Sequence, residues 1–297
     1  MGEVFIRWID TTDSEEIRYK KIHCLKHFSE IRLCPNLEES FTRPDGKTWD
    51  IQTNVLGERI VSIKETNRKN AKVWLIGDSM AMGYGLPTKE TIAYVLETKY
   101  QIPTRVLAVD AIGTNGIKTL FWETWNQTKT EDRPTHYYWI WNPSDYIDDE
   151  REKKGLKKFL YPLHFYLTRK SYLYQRLIHS PKENVYTNQI PYLYPESHVT
   201  YSHLQTFFQE LSNRKEHWRI LFAWGMAPSG KPDTKDPNYD LAKQFFQRAG
   251  LRTIDLRKET EISFSLQKQI YISNDGHPDR DLAKLFAEAI ANDFHQE

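Results

Sequence analysis

The chain has 297 residues, of which 39% are hydrophobic and 27% are charged, the balance of a globular protein rather than a disordered one. Its 41 basic and 40 acidic side chains leave a formal charge of +1, so no chain-wide basic field points to nucleic acid as a partner. No apolar run approaches the roughly 18 residues that a membrane-spanning helix needs.

The first 70 residues differ in pattern from the rest, and we expect an accessory segment (1–70) that packs on a main body. Within it, the stretch 17–31 (IRYKKIHCLKHFSEI) predicts a short helix. The stretch 40–63 places Pro-Asp-Gly, Asn and Gly between short apolar–polar alternations, which predicts a turn followed by extended segments.

The only cysteines are Cys24 and Cys34, ten positions apart. They lack the close spacing of thiolate zinc sites, so we expect no metal. Two interpretations stay open: a disulfide in an exported protein, or two buried thiols.

From residue 72 onward, short apolar strands alternate with helical stretches. Strands are predicted at 72–76, 104–110, 135–141, 218–224 and 251–255. Helices are predicted at 88–99, 117–127, 236–249 and 279–294. The alternation predicts an α/β domain (71–297) in which helices cover both faces of a parallel sheet.

The stretch of about 151–215 is longer than an ordinary connection and is rich in tyrosine. We interpret it as a helical insertion that could form a lid. The alternative is that its tyrosines only pack the insertion together.

Glycine and polar residues follow the first three predicted strands and precede the last helix. In chain order they are Ser79, Gly113, Asn142, Ser144, Asp275 and His277. Because the carboxyl ends of parallel strands meet at one edge of a sheet, we expect these residues to lie together.

Their chemistry is that of acyl transfer. Serine becomes a nucleophile when a base takes its proton, and histidine does so near neutral pH. A carboxylate, here Asp275, would hold the His277 ring in the useful tautomer. The developing oxyanion needs donors, for which the backbone N–H groups of Ser79 and Gly113 and one side-chain amide are candidates.

In this order, the residues resemble the SGNH hydrolases, also called the GDSL-like esterase and acyltransferase superfamily. That family is named for a Ser, a Gly, an Asn and a His in four blocks. Ser79 in GDSM matches the first block, Gly113 in GTNG the second and His277 in DGHP the last. The resemblance covers roughly residues 50–294, including a TN..G.R stretch at 53–59 found in one bacterial branch. It implies a three-layer αβα, flavodoxin-like fold and no cofactor.

The sequence departs from the family pattern twice. The third block usually reads Asn-Asp, and the same register here gives Ser144-Asp145, with Asn142 two residues earlier. Either Asn142 or Ser144 could complete the oxyanion hole, and Asn142 could instead cap the following helix or turn. In the last block the family often has Asp three residues before His, which is Asn274 here, so we assign the orienting role to Asp275.

Asp145 and the acidic run 148–150 are interpreted as a solvated loop. A cation site at those acids has no supporting ligand spacing.

The resemblance implies a serine esterase acting on an acylated small molecule or polysaccharide, with O-acetyl groups of carbohydrates or envelope polymers as the specific expectation. An O-acyltransferase would use the same triad. A non-catalytic binding module on the same scaffold is the competing hypothesis, motivated by Ser144.

The same branch commonly follows a membrane anchor. We therefore expect an extracytoplasmic, membrane-proximal domain with an anchor upstream of residue 1. The sequence predicts no oligomeric state.

Overall fold

The N-terminal part of the chain forms two antiparallel β-hairpins. The computed structural model describes residues 22–26, 30–43, 45–61, 70–150, 155–171, 174, 193–227, 229–273 and 275–296. The first hairpin pairs β1 (His23–Lys26) with β2 (Glu30–Leu33), and the second pairs β3 (Glu38–Thr42) with β4 (Thr48–Gln52). The second hairpin confirms the turn and extended segments expected over 40–63.

The short helix expected over 17–31 is wrong for the part of it that the structure describes, which is strand. Cys24 and Cys34 form a disulfide with their Cα atoms 4.9 Å apart. Ten residues of helix would separate those atoms by roughly 15 Å, beyond the reach of a disulfide. Extended pairing brings them together, and the Cys34 N–H also donates to the Ile22 carbonyl at 2.8 Å. Of the two interpretations of the cysteines, the structure shows the disulfide.

The centre of the protein is one parallel sheet of five strands, in the spatial order β6-β5-β7-β8-β9. The strands are β5 (Val73–Gly77), β6 (Thr104–Ala108), β7 (His136–Ile140), β8 (Trp218–Phe222) and β9 (Arg252–Asp255). Counted from β5, the order is 2-1-3-4-5, which is the flavodoxin-like arrangement. All five predicted strands, and the predicted fold class, are confirmed.

Nine α-helices are found in the described residues. They are α1 (Ser79–Met82), α2 (Ile92–Lys99), α3 (Thr114–Gln127), α4 (Ser144–Glu150), α5 (Gly155–Lys170), α6 (Val199–Leu211), α7 (Asn238–Arg248), α8 (Arg257–Ser265) and α9 (Arg280–His295). Short 3-10 turns cover Thr88–Glu90, Thr130–Asp132 and Ser212–His217. No helix within these ranges is long and apolar enough to span a bilayer.

The helices cover both faces of the sheet. On one face, Trp74 of β5 meets Phe121 of α3, and Trp139 of β7 meets Phe207 of α6 and Phe246 of α7. On the other face, α2 packs beside α9.

The tryptophans of the strands are fully buried, so continuous apolar strands are packed on both sides, as parallel sheets require.

Helix α6 lies in the predicted insertion but belongs to the core. Leu204, Phe207 and Leu211 are fully buried against the sheet, and the hydroxyl of Tyr146 donates to that of Tyr201 at 2.7 Å. Tyr194 stacks on Tyr146 with 4.5 Å between ring centres. These contacts support the packing interpretation for Tyr194 and Tyr201. Tyr172 and Tyr192 lie outside the described residues.

Breaking the disulfide is expected to destabilise the fold. The bridge closes a loop of ten positions, and such loops contribute about 3 kcal/mol by restricting the unfolded chain. The variant Cys24→Ser/Cys34→Ser should therefore unfold at lower urea concentration than the oxidised wild type. The reduced wild type should match the variant, and a variant that equals the oxidised protein would contradict the expectation.

Candidate active site

The serine-bearing turn follows β5 directly. Gly77, the last residue of the strand, has φ +152°, and a Cβ there would lie 2.9 Å from the Ile140 carbonyl oxygen of the neighbouring strand. Only glycine suits that backbone. Asp78 then caps α1 by accepting the Met80 N–H at 2.9 Å, and Ser79 opens the helix with 8% of its surface exposed.

Three of the predicted residues form one hydrogen-bonded chain. The Ser79 hydroxyl donates to His277 Nε2 at 2.9 Å, although 198 positions separate them. His277 Nδ1 donates to the Asp275 carboxylate, which also accepts the His277 backbone N–H at 3.2 Å. A proton on Nδ1 leaves Nε2 as the acceptor, which is the tautomer a base needs to take the serine proton.

The two partners shift each other's pKa in opposite directions. Burial alone lowers the pKa of His277, but the hydrogen bond and charge of Asp275 outweigh it, with help from Asp78 and Asp110, and the pKa is raised above its usual value. Burial alone raises the pKa of Asp275, but the hydrogen bond and charge of His277 outweigh it, with a smaller effect of Arg43, and the pKa is lowered. The pair therefore holds its carboxylate ionised and its imidazole more basic than a free one.

Tyr84 packs against the imidazole, with 4.3 Å between ring centres. The sequence analysis did not identify this residue, although it follows the serine turn within the same glycine-rich stretch. Its ring limits how His277 can rotate.

Gly113 immediately precedes α3, and its carbonyl accepts the Ile117 N–H at 3.0 Å. A Cβ at this position would lie 2.3 Å from an Asp149 carboxylate oxygen and 2.7 Å from the Asp149 nitrogen. Glycine is required there by close packing rather than by φ. The missing side chain lets Asp149 pack directly against the start of α3, where its carboxylate accepts the Asn115 N–H.

Asn142 and Ser144 both donate to the Asp78 carboxylate. The Asn142 amide and the Ser144 hydroxyl each lie 2.9 Å from Asp78 Oδ2. The Asn142 side-chain oxygen accepts the Ser144 N–H at 2.9 Å, so Asn142 also caps the start of α4, as the alternative interpretation had it. Asp78 thereby joins the serine turn to the loop after β7.

The acidic run that was expected in a solvated loop forms α4, so that expectation is wrong. Asp145 and Asp149 are buried. Asp149 accepts the Thr200 hydroxyl at 2.7 Å and the Asn115 N–H at 3.2 Å. Neither oxygen of Asp145 has a hydrogen-bond partner among the residues that the structure describes, and burial, reinforced by Asp78 and Asp149, raises its pKa well above the ordinary value. The buried residues of α4 are Asp145, Tyr146 and Asp149, which lie on one face of the helix. The periodicity of the helix, rather than charge, therefore determines which acids face the interior.

Asn274 lies outside the described residues, so the choice between it and Asp275 rests on the contact that Asp275 makes. Across the described ranges, no group of three or more His, Cys, Asp or Glu side chains is arranged to hold a metal ion.

Comparison with known proteins gives matches among solved structures alone, since no protein-family model and no curated protein matches the sequence. A lipolytic G-D-S-L family member from Veillonella parvula is 13% identical over 76% of this chain and 98% of its own, with a TM-score of 0.45. A lipase/acylhydrolase from Enterococcus faecalis is 11% identical over 75% and 94%, with a TM-score of 0.46. An acetylxylan esterase from Geobacillus stearothermophilus is 13% identical over 75% and 93%, with a TM-score of 0.43.

The Veillonella parvula protein is described by the name of the lipolytic family that the sequence motifs resemble. At such identities and TM-scores the activity of this chain has to be inferred from its own side chains.

The raised pKa of His277 can be measured directly. We expect NMR titration of its imidazole to give a midpoint above 6.5 in the wild type, because Asp275 stabilises the protonated ring. In Asp275→Asn the midpoint should fall, since the amide carries no charge. A wild-type midpoint at or below 6.5, or one unchanged in the variant, would contradict the pairing.

Proposed function

We propose that this protein is a serine ester hydrolase of SGNH type that removes O-acyl groups, specifically O-acetyl groups, from carbohydrates or envelope polymers. The observation that carries the proposal is the unbroken chain from Ser79 through His277 to Asp275 at the carboxyl edge of the sheet. The 2.9 Å contact lies within the range of a nucleophile and its base, which favours a catalyst over a binding module.

The chemistry runs in two steps. His277 Nε2 takes the Ser79 proton as Oγ bonds to the acyl carbon, and the imidazolium then returns that proton to the departing alcohol oxygen. Water, deprotonated by the same imidazole, cleaves the acyl-enzyme and frees the acid and Ser79. In both steps we assign stabilisation of the oxyanion to the backbone N–H groups of Ser79 and Gly113.

The third oxyanion donor is assigned to Asn142 or Ser144. Both side chains donate to Asp78. The Asn142 amide has a second N–H that could donate to the oxyanion from this position, whereas the single proton of the Ser144 hydroxyl would have to leave Asp78 for the substrate. Each such donor contributes about 3–4 kcal/mol to stabilisation of the transition state.

Transfer to a sugar hydroxyl is the second candidate reaction. It uses the same three residues, and the two differ in whether water or an alcohol reaches the acyl-enzyme. Supplying a sugar alcohol as acceptor and following the acetylated sugar separates them.

We also propose an extracytoplasmic, membrane-proximal location. The disulfide supports an oxidising compartment, because thiols are kept reduced in the cytosol of most organisms. Cell fractionation that recovers the full-length protein with the soluble cytoplasmic contents alone would contradict this location.

Hydrolysis of p-nitrophenyl acetate by wild type, Ser79→Ala and His277→Ala tests the proposed reaction. We expect each substitution to lower kcat by about 10⁴-fold or more, because nucleophile and base act as one unit. Acetylated xylan and other acetylated sugars follow as substrates. Activity that survives Ser79→Ala would contradict the nucleophile. A wild type inactive on every ester would favour the binding module.

A further inference from the structure

Arg43 follows β3 in the second hairpin, and its side chain is buried against the loop that carries His277. Its two terminal nitrogens donate to the two carboxylate oxygens of Asp279, at 3.2 and 3.0 Å. One of them also donates to the Gly85 carbonyl at 3.2 Å, and Asp45 accepts from the other side. The Arg43 side chain is 2% exposed and that of Asp279 is 0% exposed.

Two of the partners of Arg43, Asp279 and Gly85, lie close in sequence to His277 and to Tyr84, which packs on its ring. Asp279 lies two residues after His277 and caps α9, and its N–H donates to the Ile270 carbonyl at 2.9 Å. The His277 carbonyl accepts the Ile272 N–H at 2.9 Å, so the histidine sits in a short closed loop anchored at Asp279. Gly85 directly follows Tyr84, whose ring packs on the imidazole.

We propose that Arg43 is a positioning residue of the catalytic pair. It fixes the His277 loop through Asp279 and the Tyr84 side of the ring through Gly85, and its positive charge offsets the carboxylates around the imidazole. The inference rests on the proposed function. It gives the accessory segment, through Arg43, a role in positioning the catalytic residues.

The charges around His277 give the direction of the effect. Asp275, Asp78 and Asp110 all favour the protonated imidazole, and Arg43 is a cation that acts on Asp275. Lys47 lies 3.8 Å from Asp279 but is 46% exposed and screened. Without Arg43, the Asp279 carboxylate loses its buried partner and the imidazole holds its proton to higher pH.

A second buried pair supplies a matched control. Arg219 of β8 donates to Asp293 at 3.0 Å, with side chains 2% and 4% exposed. Asp293 lies on the same helix α9 as the residues that follow Asp279, but near its other end, roughly 21 Å along the helix axis. This pair, like that of Arg43, joins a buried arginine to a buried aspartate, but it is remote from His277.

The experiment compares Arg43→Met, Arg43→Lys and Arg219→Met in the full chain, with p-nitrophenyl acetate. We expect Arg43→Met to lower kcat by about 100-fold, the effect of misplacing a catalytic group by about 1 Å, and to leave KM unchanged. The acidic limb of its pH–rate profile should move to higher pH. Arg43→Lys keeps the positive charge, so the acidic limb of the pH–rate profile should not move. Its kcat should still fall, because lysine lacks the planar guanidinium that binds Asp279 and Gly85 together.

Arg219→Met should lose thermal stability with kcat and the acidic limb unchanged. Equal effects of Arg43→Met and Arg219→Met on kcat, or an unmoved limb in Arg43→Met, would reduce Arg43 to a structural residue. If Arg43→Met does not fold, Arg43→Met/Asp279→Asn removes both charges and keeps a capping side chain, and the same loss of kcat is expected.

NMR titration of His277 separates this inference from the proposed function. Its midpoint should rise in Arg43→Met and not in Arg219→Met, whether or not an ester is turned over. A wild type without esterase activity would overturn the function, and an unmoved midpoint would overturn the role of Arg43.

Discussion

The carboxylate of Asp78, buried between two neighbouring strands, is the contact on which the geometry of the site depends. One oxygen accepts the Met80 N–H and sets the direction of α1, and the other accepts from Asn142 and Ser144 at the end of β7. A buried carboxylate without such donors would be costly, so the two loops are held together by the need to satisfy it. Ser79 is the next residue, and its hydroxyl direction follows from this arrangement. The glycine before Asp78 then permits the backbone to turn where the strands are closest.

Side chains of the N-terminal segment also contact the loops of the site. Beside Arg43, two further buried side chains of that segment reach loops of the main domain. His23 pairs with Asp110, which stands in the loop leading to Gly113. Arg59 donates to the Met82 carbonyl at 2.9 Å and to the Leu86 carbonyl at 2.8 Å, in the stretch that follows the nucleophile. The loops that carry Ser79, Gly113 and His277 thus each have a partner in the segment predicted as accessory. The disulfide restrains the chain next to the first of these contacts.

Local patterns in the sequence were sufficient for the sheet and for the residues that share its carboxyl edge. The strand of residues 73–77 is apolar throughout and ends in glycine, so its place and the position of Ser79 directly after it follow from short-range rules. Other features depend on partners far along the chain. Arg43 lies in a Pro-Asp-Gly turn that resembles solvated surface, and the residue that buries it is 236 positions away. The helix expected over 17–31 failed for the same reason, because the bridge from Cys24 outweighs a weak local helical pattern. Asp145 is buried although its side chain is acidic, and the composition of the acidic run does not predict this.

The distance in sequence between Ser79 and His277 also bears on how the protein is made. The nucleophile leaves the ribosome 198 residues before its base, and at about 5–20 residues per second this gap lasts roughly 10–40 s. During that time His277 is not yet available to accept the serine proton. The loop that carries the histidine is followed by α9, which packs on α2. A nascent chain, or one terminated before residue 277, therefore contains the serine turn without the base that would activate Ser79. The proposed Ser79–His277 pair therefore forms only after the loop that carries His277 has been synthesised and has come to lie beside the serine turn.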